Sequence, residues 1–481
     1  MHTKEQSRRT RRMAIVATGL AAGSIAAFAV PASASAAAQA PKPTISTVFN
    51  NNFHVPSGSN GGGPTITVKG SHFVNVQKVL FGSTPGTHIH RLSQHKLTVT
   101  LPAHPAGRVD VRVVTGAGKS NINPHDKFYF QVRHRLDGGY YHSCQALGTG
   151  IGRCWGYNAY GEIGDGTNTD RHTPAQVSGL SKVVSVATGY YHSCALLAGG
   201  NVKCWGYNGY GQLGNNTTTN SNTPVQVLNL GGPAVAISAG PYDSCATLAT
   251  GKVKCWGYNG YGQLGNNSTT NSSIPVQVHN LSNAVDIGAG YGNTCATKRN
   301  GSESCWGYNL YGQLGNGTTS DSLVPVPVSG VNHATATALG DYTSCVITAA
   351  QKVSCWGYGA DGERGDGTTV ATKTHAGNVS GLSNVTKLGY GGYQGCVVVA
   401  SGNALCWGYN AYGEVGNGTT NSPQTTATAV AGLHNAVDIG GGTYHSLALL
   451  KNGTTKAWGY NGTGQLGNGT TTNSSTPVTV S

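Results

Sequence analysis

A five-residue phrase recurs seven times in this chain: Cys-Trp-Gly-Tyr-Asn at 154–158, 204–208, 255–259, 305–309 and 406–410, Cys-Trp-Gly-Tyr-Gly at 355–359, and Ala-Trp-Gly-Tyr-Asn at 457–461. Its tryptophans, Trp155, Trp205, Trp256, Trp306, Trp356, Trp407 and Trp458, are every Trp in the protein and fall 50 or 51 residues apart. A fixed period of that length specifies an array of one supersecondary unit. The units are rich in Gly, Thr, Val and Asn and carry no helical spacing of apolar residues, so they are built of strands. Closing strand units into a ring leaves no exposed sheet edge, and seven of them predict an all-β chain with a seven-bladed β-propeller.

The cysteines follow the same period. They occur only as six pairs, each ten positions apart: Cys144 and Cys154, Cys194 and Cys204, Cys245 and Cys255, Cys295 and Cys305, Cys345 and Cys355, Cys396 and Cys406. A turn such as Ala198-Gly199-Gly200-Asn201 separates the members, which folds two strands back and predicts one cross-strand disulfide in each of six blades. Zinc sites favour C-x2-C spacing and four converging ligands, whereas these pairs are dispersed round a ring, so no metal is assigned. The seventh blade has Leu447 and Ala457 at the two cysteine positions. Pro477-Val478-Thr479-Val480 matches Pro224-Val225-Gln226-Val227, while the repeat region opens at Arg133 with no such strand before its first motif. The last strand is therefore expected to complete the first blade and fasten the ring.

Residues 1–40 stand apart. Lys4, Arg8, Arg9, Arg11 and Arg12 precede an apolar run from Met13 to Val30, then Pro31 and small residues offering Ala32-Ser33-Ala34 or Ala38-Gln39-Ala40 as cleavage sites. This is the pattern of a secretory signal peptide, and it predicts a secreted, extracellular protein with no membrane span in the mature chain. Paired cysteines suit that oxidising compartment.

Residues 41–132 contain none of the repeat. Short alternating runs, Thr65-Ile66-Thr67-Val68, Lys78-Val79-Leu80-Phe81, Leu97-Thr98-Val99-Thr100 and Val109-Asp110-Val111-Arg112-Val113, are split by Gly, Pro and Asn and predict a small antiparallel sandwich. Residues 41–135 carry eleven Lys and Arg against Asp110 and Asp126, a net charge of +9, whereas 136–481 carry fourteen of each sign. The basicity therefore lies in the sandwich, and outside a cell it would attract an anionic polymer such as a wall polymer through salt-sensitive forces.

Two resemblances sit on these residues. Gly62-Gly63-Pro64-Thr65-Ile66-Thr67-Val68-Lys69-Gly70-Ser71-His72-Phe73, Val79-Leu80-Phe81-Gly82, Leu101-Pro102 and Gly107-Arg108-Val109-Asp110-Val111 resemble the IPT/TIG family of immunoglobulin-like domains, which implies a spacer or binding module. From about 133 to 481, Gly189-Tyr190-Tyr191-His192-Ser193-Cys194-Ala195-Leu196, Val202-Lys203-Cys204-Trp205-Gly206-Tyr207-Asn208, Gly211-Gln212-Leu213-Gly214 and Pro224-Val225-Gln226-Val227 resemble the repeat of the regulator-of-chromosome-condensation (RCC1) family. That family's nucleotide-exchange activity on a small GTPase is not carried over, because a signal peptide, paired cysteines and a neutral propeller argue against it. Secreted bacterial propellers that inhibit β-lactamases, gripping a protein with aromatic-rich face loops, are the nearer functional parallel.

Chemistry-bearing motifs point away from an enzyme. Gly209 to Gly214, Gly260 to Gly265 and Gly462 to Gly467 satisfy G-x-G-x-x-G, but none opens a helix inside a βαβ unit, so they are turns of the repeat. There is no G-x-S-x-G elbow, H-E-x-x-H or C-x-x-C, and no catalytic residue or cofactor is expected.

Candidate binding residues come from two positions in each repeat. Two residues before each first cysteine position stand His142, His192, Asp243, Asn293, Thr343, Gln394 and His445, all polar and mostly different. In a closed ring, His445, His142, His192 and Asp243 are expected to line one arc of a mouth, where three imidazoles and a carboxylate offer ligands for a divalent metal or a pH-sensitive patch, unless His is simply the usual residue of the G-x-x-H-S turn. Beside them, Tyr141, Tyr191, Tyr242, Tyr342, Tyr393 and Tyr444 form a nearly complete aromatic ring suited to anchoring a partner. The invariant ring Tyr157, Tyr207, Tyr258, Tyr308, Tyr358, Tyr409 and Tyr460 is read as packing. Blade five departs from Asn-x-Tyr-Gly-Gln-Leu-Gly with Gly359-Ala360-Asp361-Gly362-Glu363-Arg364-Gly365 and then Asp366, a charge cluster read as a solvated loop or a recognition patch.

The sequence thus predicts a monomeric, non-enzymatic binding protein whose propeller recognises an extracellular protein, with the basic sandwich as spacer or wall attachment. A wall-glycan lectin, with identical pockets repeated between blades, is the alternative. A propeller lyase or hydrolase, with an axial His/Asp pocket, is the third reading.

Overall fold

The computed structural model describes residues 40–50, 57–59, 65–102, 104, 107–131 and 135–481. The expected signal peptide falls outside them but for Ala40. Residues 136–481 form seven four-stranded antiparallel sheets, each from consecutive sequence. Blade two is typical, with strands Val183–Thr188, His192–Leu197, Val202–Gly206 and Ser221–Gln226.

The expected fastening strand is not where the sequence pattern put it. Ser474–Thr479 pairs with Thr455–Gly459 and completes the seventh blade, while the first blade opens with its own strand, Leu136–Gly138, paired to His142–Ala146. The Pro-Val strand pairs with the Cys-Trp strand that precedes it, as in Cys204 opposite Val225, so it ends each repeat rather than beginning one. Leu136–Gly138 is only three residues long and too short to show as an alternating run. Blades seven and one are instead joined by bonds from Arg135 N to Asp438 Oδ2 (2.7 Å), Thr443 N to Gly139 O (3.0 Å) and Gly469 N to His172 O (2.9 Å).

The cysteines pair as their spacing predicts. In strand register Cys144 lies opposite Cys154, Cys194 opposite Cys204, Cys245 opposite Cys255, Cys295 opposite Cys305, Cys345 opposite Cys355 and Cys396 opposite Cys406. All six pairs are disulfides, with S–S lengths of 2.04 to 2.11 Å. No described cysteine is free. Each bond closes a loop of about ten residues and contributes roughly 2–3 kcal/mol on the chain-entropy estimate. Leu447 faces Ala457 in the seventh blade, where both are buried in an apolar cluster with Leu136, Trp155 and Leu466.

The repeated tryptophan joins blade to blade. Each ring is buried, and each Nε1 donates to a main-chain carbonyl of the preceding blade: Trp205 to Glu162 O (2.7 Å), Trp256 to Gln212 O (2.8 Å), Trp407 to Glu363 O (2.6 Å), and across the closure Trp155 to Gln465 O (2.8 Å). A serine or threonine hydroxyl donates to the same carbonyl in six blades, for example Ser193 to Glu162 O (3.0 Å). Blade six has Gly395 at that position, and the Tyr390 hydroxyl of its first strand takes over the bond to Glu363 O. The glycine after each tryptophan sits at a register shift with φ near +100°, and a Cβ at Gly206 would lie 2.6 Å from Tyr191 O. Only glycine fits such a left-handed position beside a carbonyl, which explains why the motif is Trp-Gly in every repeat.

The N-terminal domain packs two sheets. One runs Thr44–Asn50, Thr65–Ser71, Lys96–Thr100, Thr87–Ser93; the other includes Lys78–Phe81, Gly107–Thr115 and Lys127–Gln131. The alternating runs are strands as expected, with Ile66, Val68, Val79, Phe81, Leu97, Val99, Val111 and Val113 in the core beside Phe128 and Phe130. Phe81 meets Phe128 edge to face at 5.4 Å. One pair, Ser57–Ser59 with Lys127–Gln131, is parallel, so the sandwich is not wholly antiparallel. Among the described residues no helix is long and apolar enough to cross a membrane.

Candidate recognition face of the propeller

An antiparallel blade sends two connections to the same end of the ring. These are the link from first to second strand, as at Gly189-Tyr190-Tyr191, and the long loop from third to fourth, as at 207–220. The candidate residues belong to this end, but the structure separates the two sets.

His142, His192, Asn293, Thr343, Gln394 and His445 do not line a mouth, and Asp243 borders only a small recess between tyrosines. Each is at most 1% exposed. They are the first residues of the second strands, and most of them tie blade to blade. His142 Nε2 meets Ser193 Oγ at 2.8 Å, His192 Nε2 meets Ser244 Oγ at 2.8 Å, and His445 Nε2 meets Ser143 Oγ at 2.7 Å. Asn293 Nδ2 reaches Ser344 Oγ at 3.2 Å, and Gln394 Nε2 reaches Gly442 O at 2.8 Å. Their variation tracks the acceptor next door. Asp243 precedes the blade with Thr294 in place of serine, and Thr343 precedes the blade with Gly395, so Thr343 turns back to Tyr358 O at 2.8 Å. Burial pushes the three histidine pKa values down to about 3, so the imidazoles are neutral struts in separate interfaces and form neither a pH-sensitive surface patch nor a convergent ligand set.

The blade-five charge cluster is structural as well. In other blades the Asn of the motif organises the long loop: Asn208 Oδ1 accepts from Leu213 N (2.9 Å), and its Nδ2 donates to Thr217 O and Thr219 O (both 3.0 Å). Gly359 lacks that side chain, and the buried Arg364 guanidinium fills the space, bonding Gly357 O (3.2 Å), Thr368 Oγ1 (3.0 Å) and Asp366 Oδ2 (3.1 Å). Against the effect of burial, hydrogen bonds from the Thr368 hydroxyl, the Lys373 ammonium and the Arg364 guanidinium hold the Asp366 carboxyl well below its ordinary pKa.

The tyrosines are brought together. Tyr141, Tyr191, Tyr242, Tyr342, Tyr393 and Tyr444 are half-buried, and so are Tyr157, Tyr207, Tyr258, Tyr308, Tyr358, Tyr409 and Tyr460, so the ring read as packing is part of the same surface. Two further sets escaped the sequence reading: Tyr160, Tyr210, Tyr261, Tyr311 and Tyr412 in the Asn-x-Tyr-Gly turn, and Tyr140, Tyr190 and Tyr291 in the link from first to second strand. The signal was present, since Asn-x-Tyr-Gly recurs at the blade period. Every tyrosine of the propeller except Tyr390 belongs to one continuous network of ring contacts. The turn tyrosines bridge neighbouring blades, Tyr160 to Tyr207 at 5.1 Å, Tyr210 to Tyr258 at 5.0 Å, Tyr261 to Tyr308 at 4.8 Å and Tyr412 to Tyr460 at 5.1 Å. Asp361 stands in place of the bridging ring between Tyr358 and Tyr409. Burial raises the phenol pKa values of Tyr191, to about 12, and of Tyr242 and Tyr258.

At the centre, Tyr190 of blade two reaches across the axis to blade five, where its hydroxyl donates to Asp341 Oδ2 at 2.5 Å. Burial raises the Asp341 pKa to about 6. Behind this contact lies an axial cavity of about 120 Å³, walled chiefly by Gly, Ala and Thr of the first strands with Asp137, Asp286 and Asp341.

The propeller's zero net charge hides a sorting by face. Exposed Lys182, Lys252, Arg299, Lys352 and Lys451 sit at the turns of the opposite end. On the tyrosine end, Arg171 is paired with Asp165 (2.7 Å), and Arg364 and Lys373 with Asp366 (3.1 and 2.9 Å).

A closed ring of seven blades, six of them stapled by a disulfide, with an aromatic loop face defines a propeller of the kind that commonly mediates protein binding. The chain belongs to the RCC1-like domain family: the family profile described as RCC1-like domain matches residues 121–393, and RCC1 repeats match 401–449 and 436–465. Residues 43–130 match the IPT/TIG domain. Among solved structures, Prp20p from Saccharomyces cerevisiae, described with its binding to Gsp1p and histones, is 23% identical with a TM-score of 0.63, covering 71% of this chain and 87% of that one. Human WBSCR16 is 21% identical with a TM-score of 0.62, covering 68% of this chain and 92% of that one. At such identity these likenesses establish the fold.

Proposed function

We propose that this chain is a secreted, non-enzymatic binding protein that recognises a protein partner through the tyrosine face of its propeller, with the basic sandwich as spacer or wall attachment. The observation that carries the reading is the continuous tyrosine network at one end of the ring. Tyrosine supplies wide, amphipathic contact area with few rotatable bonds to freeze, which is why it dominates protein-recognition surfaces. Tyr160 and Tyr412 are the most open of the rings, at 37% and 38% exposure. The six disulfides and the basic, apolar, small-residue run of the first 40 residues favour export.

The test is affinity capture from culture supernatant with the full chain and with a Tyr160→Ser/Tyr210→Ser/Tyr412→Ser variant. A specific protein held by the wild type and reduced at least tenfold by the variant is expected. Equal capture by both would refute the assignment of the face.

A further inference from the structure

The tyrosine face has a break in blade four. At the position of Tyr141, Tyr191, Tyr242, Tyr342, Tyr393 and Tyr444, that blade carries Gly292. Its φ is +77°, and a Cβ there would lie 2.9 Å from the Tyr261 ring, so the site is built for the absence of a side chain. The missing phenol leaves a recess of about 150 Å³ walled by Tyr210, Tyr242, Tyr258, Tyr261 and Tyr291 and lined also by Asp243. The rings meet at steep angles, Tyr210 to Tyr242 at 68° and 5.3 Å and Tyr258 to Tyr261 at 78° and 6.2 Å, so they present faces as walls rather than closing on one another as a stack.

Asp243 is the second, independent feature. It is 1% exposed, and its Oδ2 has no hydrogen-bond partner. Histidines at the same position in blades one, two and seven meet a serine hydroxyl of the next blade whose proton already goes to a main-chain carbonyl; Thr294 of the next blade likewise spends its proton on Gln263 O at 3.0 Å, which leaves none for a carboxylate oxygen. An orphaned buried carboxyl oxygen is costly unless something else satisfies it. None of the lining residues is a cation.

We infer that the recess at Gly292 is a pocket for an arginine side chain of the protein partner, taken between the tyrosine rings with its guanidinium directed at Asp243. A guanidinium suits this site on three counts: it is planar and stacks on aromatic faces, it is attracted by the ring quadrupole, and its fork of donors satisfies a carboxylate. Burial holds the Asp243 carboxyl well above its ordinary pKa, and a guanidinium bound beside it would favour the ionised form. Arginine is also among the residues that most often anchor protein interfaces. The inference deepens the protein-binding reading and rests on it only for what carries the arginine.

The pocket is tested without the partner. Full-length protein is titrated by calorimetry with N-acetyl-arginine methylamide and with its neutral isostere N-acetyl-citrulline methylamide, and the titration is repeated on Asp243→Asn. Asn is the residue of the following blade, Asn293, so the variant keeps the fold. The wild type is expected to bind the arginine probe at least tenfold more tightly than the citrulline probe, and Asp243→Asn to erase that preference. Equal affinity of the wild type for the two probes, or an arginine preference unchanged in Asp243→Asn, would overturn the inference. Failure of the capture experiment above, with the arginine preference intact, would leave the pocket and remove only the protein partner.

Discussion

Glu162, Glu363 and Glu414 occupy a repeat position that is glutamine in the other four blades, Gln212, Gln263, Gln313 and Gln465, and this natural variation sets up a direct test of burial. Glu162 Oε2 accepts from Tyr160 N at 2.9 Å, as Gln212 Oε1 accepts from Tyr210 N at 3.1 Å, while Glu162 Oε1 has no partner. Burial pushes the Glu162 pKa from 4.5 up to about 8. The folded protein therefore holds a proton that the unfolded chain releases, and stability falls as pH rises from about 4.5 to about 8. The slope for one such group is about 1.4 kcal/mol per pH unit. Over three units the penalty amounts to on the order of 4 kcal/mol, and glutamine does not incur it. Glu162→Gln should match the wild type near pH 4.5 and gain steadily above it, reaching a melting temperature several degrees higher at pH 8. Calorimetric melting of both proteins at half-unit steps from pH 4.5 to 8.5 measures the difference directly, and other titrating groups cancel in it. A difference that stays constant with pH, or a variant less stable at pH 8, would refute the argument that this carboxyl is protonated by burial.

The buried histidines predict the opposite trend in acid. Their folded pKa values near 3 lie below the ordinary 6.5, so the unfolded chain gains protons first and stability is lost as pH falls from about 6.5 toward 3. His142→Asn/His192→Asn/His445→Asn, which copies the residue that blade four carries at Asn293, should lose less melting temperature between pH 7 and pH 4 than the wild type; an equal loss would exclude the struts as the cause. In the sandwich, Lys69, Lys78 and Lys96 are exposed. The full chain should adhere to purified anionic cell walls at low salt and release by several tenths molar, where the Debye length is about 4–5 Å, and Lys69→Glu/Lys78→Glu/Lys96→Glu should weaken adhesion severalfold; undiminished adhesion would make the domain a spacer.

Much of the architecture was legible because a repeat states each rule seven times. Trp-Gly stands in all seven repeats of the sequence, and the structure supplies the reasons, an indole donor to the preceding blade and a left-handed bulge against a carbonyl. Cysteine spacing of ten determined the six disulfides, from Cys144 with Cys154 to Cys396 with Cys406, since two strands joined by a tight turn leave one registered pairing. The charge division along the chain also came from counting alone.

Tertiary structure decided what variation means. His142 and Gln394 looked like part of a variable binding surface, yet each bonds a neighbour about fifty residues away across a blade interface, a pairing that a linear pattern does not display. Arg364 looked like loop charge and proved to be a buried stand-in for the missing Asn side chain at Gly359. The closing strand was misplaced because strand pairing, and not the similarity of two segments, determines where a repeat ends. The tyrosine face and its gap at Gly292 arise from rings 50 residues apart that meet only when the propeller closes. Sequence determines which side chains recur, whereas recognition depends on which of them share a solvent-facing end, and that follows from the folding of each blade and the closure of the ring.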